Sequence, residues 1–181
     1  MVRENLTRVS IVPKDTKWHQ GRFHPQHPEK YQGDADNIIY RSSWELHFFQ
    51  WCDRNDSVLK YAAEEFSIPY VNPVDGRVHR YYPDALVEMK RPNGEIKKYL
   101  IEIKPKKQCS PPTKPASGKV TKTYINEAKT YAKNEAKWKY AAEFCKDNGV
   151  EFKILTEDDL GIKPYGTKRR NSKTRRLPKK R

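Results

Sequence analysis

Apolar positions recur at helical spacing from residue 42 to residue 54 (SSWELHFFQWCDR). Trp44, Phe48, Phe49, Trp51 and Cys52 fall on one side of such a helix. Ser42 can serve as its N-cap, and Glu45 three residues on completes a capping-box pattern. Residues 58–104 change to strand-like stretches. FSIPYV (66–71) is followed by turn residues Asn72-Pro73-Val74-Asp75-Gly76, then RVHRYYPDALVEMK (77–90), a second turn at Arg91-Pro92-Asn93-Gly94, and IKKYLIEIK (96–104). A Pro- and Lys-rich loop covers 105–121, long enough to suggest a functional role. Helical spacing returns from about Thr123 to Asp147 and stops at Asn148-Gly149, a good left-handed C-cap; VEFKILT (150–156) is a last strand. The order α-β-β-β-α-β predicts a mixed α/β fold, a mixed sheet flanked by helices. Residues 1–37 lack periodicity and read as a polar arm that Trp18 and Phe23 could pin to the core.

The second turn sets a register. Pro92 suits the first central position of a type I turn, Asn93 the second, and Gly94 the left-handed bulge position that follows. That three-residue loop pairs Arg91 with Glu95, so cross-strand partners have numbers summing to 186, and Asp84 falls opposite Glu102. Alternation puts Asp84, Leu86, Leu100, Glu102 and Lys104 on one face. Ala85, Val87, Met89, Tyr99, Ile101 and Ile103 share the other, more uniformly apolar face.

Charge divides the chain further. The net charge is +14, but residues 163–181 hold ten Lys or Arg and no acid, leaving 27 basic against 23 acidic residues elsewhere. A polycationic tail binds polyanions by releasing counterions and reads no sequence, so nucleic acid is the expected partner. The expected organisation is an arm at 1–37, a folded domain at 38–162 and a tail at 163–181. Three cysteines without CxxC spacing point to neither a disulfide framework nor a zinc site, which suits a reducing cytoplasm. Neither a membrane-spanning run nor a signal-peptide core is expected.

Two carboxylates opposed across a ladder repel each other, and a divalent cation would compensate. Hard carboxylate oxygens suit Mg²⁺, which activates water and polarises phosphate, while a nearby ammonium can steady the transition state. Asp84 and Glu102 are therefore candidate metal ligands, Ile103 a candidate ligand through its carbonyl, and Lys104 the candidate catalytic lysine. Pro83-Asp84 with Glu102-x-Lys104 has the form of the PD-(D/E)xK nuclease signature. The plain alternative is an edge strand carrying protective charges. Glu45 is open to two readings, partner of Ser42 or a charge presented to the metal. Glu64 and Glu65 are read chiefly as solvated charge, with one of them a possible neighbour of the site, and no histidine is singled out as a ligand. Candidate DNA contacts are Lys106 and Lys107 in the loop, the stripe Lys129, Lys133 and Lys137 on the long helix, and Lys168, Arg169, Arg170, Lys173, Arg175 and Arg176 in the tail.

NIIYRSSWELHFFQWCDRN, EEFSIPYVNPVDGRVHRYYPD, IEIKPKKQ, the helix NEAKWKYAAEFCKDNG and the strand FKILTE closely resemble the head completion nuclease family of T4-type tailed bacteriophages. The similarity runs from about Gly21 to Tyr165. More distantly, the arrangement resembles the TnsA-like transposon endonucleases, which share a helix glutamate, a Pro-Asp and a Glu-x-Lys. The resemblance implies a restriction-endonuclease-like αβββαβ core and DNA cleavage dependent on Mg²⁺, with Mn²⁺ as a substitute. It implies a role in finishing the filled head before tail joining, with DNA and head or portal–neck proteins as partners. It also implies action in the host cytoplasm during assembly, with retention in the virion as an option. By position, Glu45 matches the family's helix glutamate, Asp84 its aspartate, Glu102 its second acid and Lys104 its lysine. Two other readings remain open: a TnsA-like or repair endonuclease acting on DNA ends or branches, and a non-enzymatic DNA-binding connector protein.

Overall fold

A computed structural model describes residues 20–162. The first expectation it changes is the arm. Gly21–Phe23 (β1) pairs antiparallel with Ile38–Tyr40 (β2), and two short 3₁₀ turns, Pro28–Lys30 and Ala35–Asn37, lie between them. Phe23, Tyr31 and Ile38 are buried, and Tyr31 meets Tyr61 edge-on with ring centres 5.3 Å apart. Residues 20–37 are thus part of the folded core, as the Phe23 anchor foreshadowed; Trp18 lies outside the described residues. Their two buried core side chains, Phe23 and Tyr31, are too widely spaced to register as a period. A polar interaction holds the segment as well. The backbone N–H groups of Gln26 and His27 each donate to the Asp53 carboxylate at 2.9 Å, and Asp53 is 1% exposed.

The helix Ser43–Arg54 (α1) starts where Ser42 accepts the Glu45 N–H at 3.1 Å, and it buries Phe48, Phe49 and Cys52. The strands that follow are Val58–Ala62 (β3), Ile68–Val71 (β4), Val78–Tyr81 (β5), Ala85–Lys90 (β6) and Ile96–Ile103 (β7). The helix Lys122–Asn148 (α2) is capped by Thr121 and ended by Gly149 at φ +65°; Glu151–Leu155 (β8) is the last strand. The main sheet has the order β3-β6-β7-β8, antiparallel except for the parallel β7–β8 pair. It is the expected mixed sheet. Among the described residues, no helix is long and apolar enough to cross a membrane.

Residues 77–90 do not form one strand. Pro83 has no N–H to give a ladder, and the residue before a proline is conformationally restricted. The chain breaks at Tyr82-Pro83-Asp84. The earlier half joins β4 in a separate two-stranded ribbon, and the later half enters the main sheet. β3, expected only as part of a general β region, takes the place beside β6.

Each sheet face carries its own apolar cluster. Ala85, Val87, Tyr99, Ile101 and Ile103 pack with α1 and the β1–β2 segment. On the opposite face, Leu86, Leu100 and Phe152 pack with Ala141 and Cys145 of α2 and with Ile68, Tyr70 and Tyr81 of the ribbon. Two-sided coverage follows from the alternation in β6 and β7, since both alternating sets contain large apolar residues.

Candidate active site

The β6–β7 turn has the geometry its residues predict. The Gly94 N–H donates to the Arg91 carbonyl (2.9 Å), the Arg91 N–H donates to the Glu95 carbonyl (2.8 Å), and Gly94 sits at φ +84°. Every β6–β7 pair from Lys90↔Ile96 to Ala85↔Ile101 keeps the sum of 186. Asp84 lies one step beyond the last pair, where the ladder opens after Pro83. There its carboxylate replaces a backbone acceptor: the Ile103 N–H donates to Asp84 Oδ2 at 2.6 Å.

Lys104 closes the cluster. Its ammonium lies 2.9 Å from Glu102 Oε1 and 3.7 Å from Asp84 Oδ2, and it donates to the Ile103 carbonyl at 3.1 Å. The three groups expected to share a cation thus converge on one positive charge. Glu102 is 2% exposed, and the Asp84 side chain 14%. Burial, and then the neighbouring Glu102 charge, push the Asp84 carboxyl above its ordinary range; Lys104 and the Ile103 N–H oppose this with smaller effect. Burial alone would lower Lys104, but Asp84 and Glu102 outweigh it and hold the ammonium charged.

This donor set fits a hard divalent cation. Two buried carboxylates that repel each other, with a carbonyl beside them, offer oxygen ligands whose mutual repulsion an ion would relieve. Among the described residues, no three His, Cys, Asp or Glu side chains gather as a metal-holding group. Mg²⁺ does not need three, because it commonly keeps several waters and takes one or two carboxylates.

Tyr81 escaped the sequence reading. Its hydroxyl donates to Glu102 Oε2 at 2.6 Å, and both side chains are 2% exposed. Glu102 is thereby held on one oxygen by Lys104 and on the other by Tyr81. The only available signal was Tyr81 itself, since a tyrosine buried in a strand needs a partner for its hydroxyl.

Glu45 lies in the cap. One of its oxygens accepts the Arg41 N–H (2.7 Å) and the other accepts the Ser42 hydroxyl (2.9 Å). The N–H reached is that of the residue before the N-cap, one position earlier than the capping-box pattern predicts. Its charge is nevertheless felt at both Asp84 and Lys104. Glu64 takes the unusual φ of +50° and receives the Arg41 guanidinium on both oxygens, with a closest approach of 2.7 Å. Glu65 accepts the Tyr31 hydroxyl at 3.2 Å. Both glutamates are therefore engaged by partners outside the carboxylate cluster.

The candidate DNA contacts separate into groups. Lys106 pairs with Asp158 (2.7 Å) and Lys107 with Glu127 (2.6 Å), so each already has a local counter-charge. Lys129 is exposed and Lys133 partly exposed, as a solvated stripe requires. Lys137 departs from that stripe and stands over the rings of Tyr70 and Tyr81. Lys168, Arg169, Arg170, Lys173, Arg175 and Arg176 lie outside the described residues.

Residues 55–157, which span β3 to β8 and hold Asp84, Glu102 and Lys104, match the family described as the TnsA-like endonuclease N-terminal domain. The chain belongs to the TnsA-like endonuclease family. It is also 40% identical over 144 residues to the head completion nuclease of Enterobacteria phage T4, an alignment covering 78% of this chain and 93% of that protein. The family assignment accounts for the architecture: TnsA-like domains have the restriction-endonuclease-like fold, and the mixed sheet between α1 and α2 is of that kind. In this TnsA-like chain the acids lie where β6 leaves β7, and the lysine follows the end of β7.

Proposed function

We propose that this nuclease is a Mg²⁺-dependent DNA endonuclease of the PD-(D/E)xK type that acts on packaged phage DNA. On this reading it finishes filled heads before tail joining by trimming DNA, in the host cytoplasm and next to head or portal–neck proteins. The observation that carries the chemistry is the convergence of Asp84, Glu102 and the Ile103 carbonyl on one cation position, occupied by the Lys104 ammonium. The phage role rests on the similarity to the T4 head completion nuclease.

In the reaction, a water oxygen attacks phosphorus and gives up a proton, the bond to the leaving deoxyribose oxygen breaks, and that oxygen takes up a proton from solvent. Asp84 and Glu102, with the Ile103 carbonyl, would hold the ion, which supplies polarisation of the phosphate and a lowered pKa for water. Tyr81 keeps Glu102 in one orientation by holding its second oxygen. Lys104, kept charged by the two acids, would orient the water or steady charge developing on phosphate oxygens. Glu45 adds a negative charge at the edge of the cluster.

The test is plasmid nicking with Mg²⁺ and with EDTA, using the wild type and Asp84→Asn. Wild type should nick only with the ion. Asp84→Asn should abolish nicking yet bind DNA as well or better, because it removes a charge that both holds metal and repels phosphate. Nicking by Asp84→Asn at the wild-type rate would eliminate the reading.

A further inference from the structure

The three lysines at four-residue spacing on α2 are not equivalent. Lys137 is half-buried, its ammonium 5.4 Å from the centre of the Tyr81 ring and 5.8 Å from that of Tyr70. Among the described residues it has no ion-pair or hydrogen-bond partner. Burial pushes its pKa down, and the Lys104 charge adds to this, while Glu102 and Asp84 oppose it. Aromatic faces offset only part of the cost of desolvating an ammonium.

Two further donors on α2, both buried, also lack acceptors. Asn134, one turn earlier, is 6% exposed, and neither its Nδ2 nor the buried Trp138 Nε1 meets an acceptor. Those two donors are closed off from solvent, so of the three it is Lys137, partly exposed, that a ligand can reach. Tyr81 links that face to the catalytic carboxylates, with its ring under Lys137 and its hydroxyl on Glu102. A partly exposed ammonium without an ion-pair partner, beside the carboxylates that would hold a metal, suits an oxyanion.

We propose that Lys137 binds a non-bridging oxygen of the scissile phosphate, so that the centre uses two lysines with different duties. This rests on the nuclease reading. Lys104 answers the charge of the acids. Among the described residues Lys137 has no acid of its own, and it acquires its counter-charge when DNA arrives. Its cation is then most useful in the transition state, where charge on the phosphate oxygens is greatest.

The test uses the full chain with Lys137→Met, Lys137→Arg and, as a control at an exposed position of α2 outside the lysine stripe, Lys139→Gln. Lys137→Met keeps an apolar stem on the tyrosine rings, so its Tm should match or exceed wild type. Its kcat should fall by roughly 10²-fold, the scale of a lost charge-stabilising donor, with partial recovery in Lys137→Arg. Lys139→Gln should leave both kcat and KM at the wild-type values. Binding of a duplex oligonucleotide in EDTA gives a readout independent of cleavage: the salt slope should drop by about one unit in Lys137→Met. A wild-type kcat or an unchanged salt slope in Lys137→Met overturns the proposal. So does loss of Tm and activity together in both Lys137 variants, which marks a packing role. A wild-type protein that never nicks, combined with the reduced slope in Lys137→Met, would remove the nuclease reading and leave the phosphate contact standing.

Discussion

Tyr81→Phe isolates one atom of the site. The change keeps the ring that packs with Ile68 and Leu100 and lies under Lys137, and deletes only the hydroxyl 2.6 Å from Glu102 Oε2. Burial, and then the Glu102 charge, keep that hydroxyl protonated far above its ordinary range, so it is a donor at any working pH. At 2% exposure, bulk water has little access to replace it. A hydrogen bond to a charged group contributes about 1.5–3 kcal/mol. For a domain of this size the loss should lower Tm by roughly 3–12 °C. The second effect is on the ion. Losing an outer partner of a metal-binding carboxylate typically lowers metal affinity about 10–100-fold, which is about 1.4–2.7 kcal/mol. A Mg²⁺ titration of plasmid nicking should therefore move to higher half-saturating Mg²⁺ by that factor, with much of the rate recovered at saturation. Thermal melts without metal report the stability change separately. If Tyr81→Phe keeps both its Tm and its half-saturating Mg²⁺, Glu102 does not depend on Tyr81 and the assigned role is wrong.

Glu45→Gln can keep one of the two cap interactions and remove the charge; it should hold Tm within a few degrees and lose roughly 10²-fold in cleavage if that charge serves the chemistry. Cleavage at the wild-type rate would confine Glu45 to the cap. Deleting residues 166–181 should weaken DNA binding and flatten its salt dependence, by roughly one unit of slope for each phosphate the tail had neutralised, while cleavage survives at low salt and saturating protein. An unchanged slope would mean the tail does not engage DNA. Alkaline pH should destabilise the fold. Burial raises Tyr31 to about 12 and pushes Tyr61 and Tyr81 up as well, so the native state keeps protons that the unfolded chain loses near pH 10. Their contribution is complete below that pH and falls as pH rises through it, by about 1.4 kcal/mol per unit for each group. Melts between pH 8 and 11, with tyrosinate absorbance followed in parallel, check the sign; a flat Tm would contradict it.

Local rules in the sequence carried the centre of the site. A single turn, Pro92-Asn93-Gly94, sets the β6–β7 register because loop length and the left-handed glycine leave one pairing. Alternation then puts Asp84, Glu102 and Lys104 on a shared face. The C-terminal end of α2 was legible for a similar reason, since Gly149 acts within one turn of itself; the start was read at about Thr123, and the Thr121 cap came only with the structure. What depended on distant parts of the chain was not legible. The break at Pro83 was visible as a proline, but its consequence was not: the earlier half of the segment leaves the main sheet and brings Tyr81 to Glu102 across 21 residues. Residues 20–37 showed no period, because Phe23 and Tyr31 are ordered by what they pack against and not by their spacing.

The lysines of α2 show where that division falls. Sequence determined that Lys129, Lys133 and Lys137 lie in a row, because four residues is close to one helical turn. Only the tertiary structure decided that the row crosses from solvent to the site, since burial is set by the β4–β5 ribbon meeting α2 and not by the helix itself. The same holds for Asp84 and Glu102. Their opposition follows from a turn, but their withdrawal from water, which raises Asp84 and makes a cation worth binding, required α2, the ribbon and the sheet to assemble around them.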